Sequence, residues 1–313
     1  MQARVLFAGT PAFALACLRA LVAAEVWPAA VYTQPDRPSG RGRRLTSSPV
    51  KDFALKSGLP VRQPASLSDP VAVRELADFA PDLLIVAAYG LLLPQAVLDI
   101  PRHGCLNVHA SLLPRWRGAA PIQAAIASGD RETGVSLMRM EAGLDSGPVY
   151  ARQSLPIGDE ETAGELHDRL AVLGGQLLVR SLPDIIAGRL RAEPQDERRV
   201  TVAGKLRPAD AILDWRRPAA ALARNVRAWN PVPGARFDLG DETIKCWRAQ
   251  PLPSAAGRPG TVLQAGPAGV DVACGEDALR LLDVQRPGRK RISGGEFAAQ
   301  VELAGQTLAV AAD

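Results

Sequence analysis

Aromatic residues make up only 4% of the 313 residues, so the core must be assembled from Ala, Leu and Val rather than from ring packing. Long apolar runs are also missing. The longest, Leu83 to Leu93, is interrupted by Gly90 and is shorter than the roughly 20 residues that cross a bilayer. Met1-Gln2-Ala3-Arg4 runs straight into a short strand, so no leader is expected and the reading is cytoplasmic. The four cysteines (Cys17, Cys105, Cys246, Cys274) form no CxxC and have no His at zinc spacing, which argues against a disulfide framework or a structural zinc site and for reduced thiols. There is no G-x-G-x-x-G, so Gly9 alone does not make a dinucleotide site. Excess charge is slight, with a net +4 that permits a polyanionic partner without requiring one.

What is present is the composition of an ordinary globular protein, 47% hydrophobic and 22% charged, at a length that suggests two domains. Arg4 to Gly9 reads as a buried strand, Phe13 to Ala24 as an amphipathic helix and Ala29 to Thr33 as a second strand. That βαβ opening implies a parallel sheet. Asp82 to Ala88 is apolar throughout, as expected at the centre of such a sheet. Helices are expected at Pro49–Ser57, Val71–Phe79 and Ala119–Ser128, and strands at Gly134–Met140 and Val149–Leu155. Thr162 to Ala187 reads as a long helix with a break near Gly174-Gly175. The expected layout is an α/β, Rossmann-like parallel-sheet domain over residues 1–188, a charged linker over 189–206, and a small β-barrel domain over 207–313. The barrel reading rests on short alternating strands separated by Gly and Pro, such as those starting at Gly234, Thr243, Gly260, Gly269 and Ala278.

Cys105 to Gly118, CLNVHASLLPRWRG, carries the chemistry. Asn107 and His109 are two apart on a strand, so they share a face. The strand opens into a basic, aromatic loop, the kind of place where open α/β sheets put active sites. Glycines flank Leu144-Asp145-Ser146, letting the backbone turn and aim one carboxylate; an Asx-turn is the alternative role for Asp145. Asn, His and Asp without a Ser or Cys nucleophile suit acyl transfer that forms no covalent enzyme intermediate. An amide donates to the oxyanion, an imidazole carries a proton and a carboxylate fixes its charge. The stretch Gln34 to Arg44, rich in Gly, Pro and Arg, reads as a long exposed loop, either a solvated insertion or a phosphate contact. From Lys205 onward fifteen bases stand against twelve acids, again compatible with an RNA backbone or with plain solvation.

NVHASLLPRWRGAAPI, followed by GLDSG, closely resembles the signature of the folate-dependent formyltransferases. FAGTPAFA, TQPDRPSGRG and AYGLLLP look like the branch of that family whose acceptor is an initiator aminoacyl-tRNA. The resemblance implies 10-formyltetrahydrofolate as formyl donor and co-substrate, no metal, and the amino group of initiator methionyl-tRNA as acceptor. It implies Asn107, His109 and Asp145 as catalytic residues and Ser111, Leu112, Leu113 and Pro114 as the folate wall, with the pterin near Leu144. It further implies tRNA contacts from Arg41, supported by Arg43 and Arg44, and an oligonucleotide-binding (OB-like) C-terminal barrel.

Two other readings compete. A formyltransferase acting on a sugar amine, or a formyl-folate hydrolase, would share the same Asn, His and Asp. A non-catalytic RNA-binding protein would have no need of all three together. Nothing in the sequence argues against a monomer.

Overall fold

The structure, a computed structural model, describes residues 3–39, 44–253, 257–303 and 305–309. In chain order the first elements are β1 (Val5–Gly9), α1 (Ala12–Ala23), β2 (Ala30–Tyr32), β3 (Arg37–Ser39), β4 (Arg44–Thr46), α2 (Pro49–Lys56), β5 (Val61–Arg62), α3 (Pro70–Asp78) and β6 (Leu83–Ala87). There follow α4 (Gln95–Leu98), β7 (Cys105–His109), β8 (Arg117–Gly118), α5 (Pro121–Ser128), β9 (Glu132–Arg139), β10 (Val149–Pro156), α6 (Ala163–Ile186) and β11 (Val202–Ala203).

The chain divides into two compact units, and the first comprises Met1–Pro121, Thr133–Leu155 and His167–Ala203. Its sheet runs in the order β10-β9-β7-β6-β1-β2-β5. β1, β6 and β7 are buried along their whole length and pair in parallel. Strands covered on both faces must be apolar throughout, which is why VLFAG and LLIVA show no polar alternation. β7 is the exception, carrying Asn107 and His109 among apolar residues. β9 joins β7 antiparallel, with His109 opposite Ser136. The helices start where their sequences supply caps: the side chain of Ser48 accepts from Lys51 N–H ahead of Pro49, and that of Asp69 from Val71 N–H ahead of Pro70.

Two sequence expectations need correction. α6 is continuous through Gly174-Gly175, with its buried side chains, among them Leu166, Leu170, Leu177 and Leu178, at helical spacing. The glycines serve close approach instead of a break. A Cβ on Gly174 would lie 3.1 Å from Val108 Cγ1, and one on Gly175 would lie 2.8 Å from Ala20 Cβ. The stretch from Gln34 to Arg44, read as loop, contains β3, whose residues pair antiparallel with β4. The ribbon's base is tied down by Lys51–Asp36 at 2.6 Å and by Gln63, which donates to Asp36 and to the Gln34 carbonyl.

The second unit comprises Ile122–Glu132, Pro156–Leu166 and Gly204–Asp313. It contains α7 (Ala219–Ala228), β12 (Ala235–Leu239), β13 (Glu242–Leu252), β14 (Val262–Gly266), β15 (Gly269–Ala273), β16 (Ala278–Gln285), β17 (Arg291–Ser293) and α8 (Gly294–Gln300). These strands form an antiparallel sheet in the order β12-β13-β16-β15-β14, with β17 on β16. Its core includes the fully buried Trp215 edge-on to Phe237, 5.8 Å between centroids. Arg280 clamps Asp271 through two hydrogen bonds across β15 and β16. All four cysteines are buried and free. No helix among the described residues is long and apolar enough to cross a membrane.

Candidate functional site

Three elements of the first unit converge at the C-terminal end of β7. The strand itself carries Asn107 and His109, buried at 9% and 6% exposure. The β9–β10 loop brings Asp145, and the residues after β7 turn back through β8. Asn107 Nδ2 donates to Asp145 Oδ1 at 3.4 Å, and His109 Nδ1 stands 3.7 Å from Asp145 Oδ2. The pair two apart on one strand and the turn carboxylate, expected from sequence to meet, do meet.

The geometry settles where one proton sits. His109 Nε2 is 3.0 Å from the Trp116 carbonyl, which can only accept, so Nε2 carries hydrogen. The other nitrogen, Nδ1, is thereby left facing the carboxylate. Oδ2 of Asp145 is itself held by the Gly118 N–H at 2.8 Å. Asn107 Nδ2 has a second hydrogen beyond the one directed at Asp145.

The local backbone is bent to make this possible. Asp145 has φ 46° and Trp116 φ 62°, both in the left-handed region that non-glycine residues seldom occupy. Such conformations persist at sites where surrounding contacts over-determine them. Gly147 is required by space: a Cβ there would fall 1.8 Å from the Arg139 carbonyl oxygen.

Ser111 to Pro114 form a stiff wall beside the site. Ser111 is buried and donates through Oγ to the Arg115 carbonyl. Ser136 Oγ donates to Ser111 O at 2.7 Å and accepts from Leu113 N, and Arg152 Nε donates to Leu113 O. Leu113 points into a small apolar cluster with Met138 and Val149, so its side chain is not presented to a ligand. Leu112 and Pro114 are half-buried. Leu144, beside Asp145, is 65% exposed.

Of the three arginines expected to meet nucleic acid, Arg44 opens the exposed strand β4. Arg41 and Arg43 lie outside the described residues.

Sequence reasoning missed the segment from Glu193 to Ala203, read as linker. It lies against the site. Glu193 and Val149 exchange two backbone hydrogen bonds. Thr201 Oγ1 accepts from Trp116 N, and β11 pairs in parallel with β8. Gln195, 8% exposed, donates to the carbonyls of Asp145 and Gly147 at 2.8 and 2.7 Å. Arg117 Nε donates to Gln195 Oε1, and its two terminal nitrogens donate to Glu197, whose carboxyl they hold below the usual carboxylate range. A charged run such as QDERR gives no periodic signal, and a lone buried Gln has no motif.

Residues 1–182 match the family described as Formyl transferase, and residues 205–302 match Formyl transferase, C-terminal domain. The methionyl-tRNA formyltransferase of Methylococcus capsulatus is 53% identical over 97% of this chain and 99% of its own length. That of Stenotrophomonas maltophilia is 56% identical over 94% and 96%. Among solved structures, WlaRD, a sugar 3N-formyl transferase crystallised with dTDP and 5-N-formyl-THF, superposes with a TM-score of 0.66 at 14% identity over 93% of this chain and 100% of that one. HypX from Aquifex aeolicus in complex with tetrahydrofolic acid gives 0.62 at 18% identity over 96% of this chain. The chain spans 47% of HypX. At such identities the likeness shows a shared fold. Full-length identity above one half to curated enzymes shows more: this chain belongs to the formyl transferase family, as an enzyme of its methionyl-tRNA formyltransferase group.

Proposed function

We propose that the protein moves the formyl group of 10-formyltetrahydrofolate onto the amino group of initiator methionyl-tRNA in the cytoplasm. The observation that carries the chemistry is the convergence of Asn107 and His109, at a strand end, on the loop carboxylate of Asp145, at 3.4 and 3.7 Å. The deprotonated methionyl amine attacks the formyl carbon and the C–O double bond opens to an oxyanion. Asn107 faces that oxyanion through its second amide hydrogen. His109 does so through Nδ1 when that nitrogen carries a proton, its Nε2 hydrogen being held by the Trp116 carbonyl; one such donor is worth about 2.7–4 kcal/mol of barrier. Collapse of the tetrahedral centre breaks the bond to the folate nitrogen. Asp145 and His109 pass the proton shed by the amine to that nitrogen, so formyl-methionyl-tRNA and tetrahydrofolate leave with protons balanced.

The folate lies along the backbone of Ser111 and Leu113 and the half-buried side chains of Leu112 and Pro114, with its pterin against Leu144. An exposed apolar side chain beside the carboxylate suits a flat heteroaromatic ring, and the internally hydrogen-bonded wall offers shape rather than free polar groups. Arg41, Arg43 and Arg44 take the acceptor end of the tRNA. The catalytic region is residues 1–188, joined through 189–206 to an OB-like tRNA-binding region over 207–313, and the protein acts as a monomer. A basic surface next to an aromatic ring supports that role for the second unit: Lys245 and Arg291 both sit over Trp247, at 5.2 and 4.6 Å from its centroid.

Single-turnover transfer from 10-formyltetrahydrofolate to charged initiator tRNA tests this reading, with elongator methionyl-tRNA as control. Formylation of the initiator alone is the expected result. Folate turnover without tRNA formylation would send the acceptor to a sugar amine or to water.

A further inference from the structure

Asp145 sits in a left-handed conformation in a turn flanked by Gly143 and Gly147. Such a turn has little intrinsic preference for one shape, so its aim must come from outside. Two contacts supply it. Gly118 N–H fixes one carboxylate oxygen, and Gln195 Nε2 fixes the backbone by donating to the carbonyls on either side of Ser146. The geometry points to Gln195 as a positioning residue that sets the place of the Asp145 carboxylate against His109 through the loop backbone.

Gln195 is suited to this by the way it is held. Arg117 Nε donates to its Oε1 at 3.0 Å, so the amide cannot turn over, and its NH2 group must face the two carbonyls. Arg117 in turn is locked by Glu197 and by the pairing of Arg117-Gly118 with Val202-Ala203. The same strap thus holds both walls of the site, the loop that donates to Asp145 and the loop that carries it. Gln195 makes no hydrogen bond to the carboxylate, so it touches no reacting atom and acts only through position. A misplacement of about 1 Å from a residue outside the chemistry can cost on the order of 100-fold in rate.

This inference rests on the reading that Asp145 serves the transfer, and the experiment separates the two. Single-turnover formyl transfer is measured with the full chain, 10-formyltetrahydrofolate and charged initiator tRNA for Gln195→Ala, Gln195→Glu, Asp145→Ala and Gln195→Ala with Asp145→Ala. Gln195→Glu keeps the shape but has no N–H for the two carbonyls, so it remains informative if the alanine variant folds poorly. Both Gln195 variants are expected to slow transfer by roughly tenfold or more, with tRNA and folate half-saturation within about twofold of wild type. In the Asp145→Ala background, loss of Gln195 is expected to cost less than about threefold further, because residues acting as a unit are not additive. A purely structural role would keep its full effect in that background. Wild-type rates for Gln195→Glu, or effects that multiply in the double variant, overturn the inference while leaving Asp145 its role. A wild-type rate for Asp145→Ala overturns both.

Discussion

Nδ1 of His109 and Oδ2 of Asp145 face one another at 3.7 Å, with Nε2 of the same ring committed to the Trp116 carbonyl. The separation is too long for a direct hydrogen bond, so Nδ1 is not committed to the carboxylate it faces. The imidazole is therefore anchored on one nitrogen and exchangeable on the other. A proton carrier needs both properties, a fixed orientation and one edge that can be loaded and unloaded.

Removing either partner is expected to damage turnover and spare binding. His109→Ala and Asp145→Ala should each slow formyl transfer by about 10²–10⁴-fold, the usual range for a general acid–base group. Asn107→Ala should cost about 10²–10³-fold as a lost oxyanion donor. Affinity for initiator tRNA, read by filter binding at fixed salt, should stay near wild type in all three. Strong loss of tRNA binding with normal single-turnover rates would contradict the roles assigned to these residues.

Most of this site was legible because strand periodicity is simple. Residues two apart share a face, so Asn107 and His109 point together once Cys105 to Val108 is read as a strand that leads into His109. The short strands of the second unit were legible from Gly and Pro punctuation, as at Gly234 and Gly269, both at positive φ. Two things were not. Gly174-Gly175 looked like a break because glycine is a poor helix former, yet here the missing Cβ atoms let α6 approach Val108 and Ala20. Gln195 was hidden because tertiary contact gives it its meaning: its partners Asp145 and Gly147 are about 50 residues away.

That reading of the glycines has its own test. Gly175→Ala would place a methyl 2.8 Å from Ala20 Cβ between two rigid helices. The overpacking should cost about 1–3 kcal/mol, despite the better helix propensity of alanine. Urea unfolding checks it. A variant more stable than wild type would mean that propensity outweighs packing at this crossing.

Arg41 and Arg44 should matter to the acceptor more than to the folate. Arg41→Ala or Arg44→Ala is expected to raise the half-saturating concentration of methionyl-tRNA while leaving that of 10-formyltetrahydrofolate near wild type. If each makes one phosphate contact, the slope of log affinity against log salt should fall in magnitude by about 0.7–0.9 for each arginine removed. Equal loss toward both substrates would assign these arginines a structural role.

Alkaline pH should unfold the protein through its buried thiols. Burial pushes Cys17, Cys105 and Cys246 from an ordinary 9.0 up to about 12, and Cys274 to about 11. Tyr89 rises from 10.0 to about 12 for the same reason, and Tyr32 is raised as well. Well below pH 9 these thiols are almost wholly protonated whether the chain is folded or not, so they contribute little pH dependence there. Above it the unfolded chain releases protons that the folded chain retains. The unfolded state then binds fewer protons, and stability falls as pH rises. The loss should develop from about pH 9 and continue toward about pH 12. Urea midpoints measured at about pH 8 and about pH 10.5 should therefore separate clearly, and Cys17→Ala should narrow the gap between them. Iodoacetamide at about pH 8.5 should leave the native protein unlabelled over minutes and label all four cysteines in urea, since only the exposed thiolate reacts. Rapid labelling of the native chain would show that these thiols reach solvent and would remove the basis for the alkaline transition.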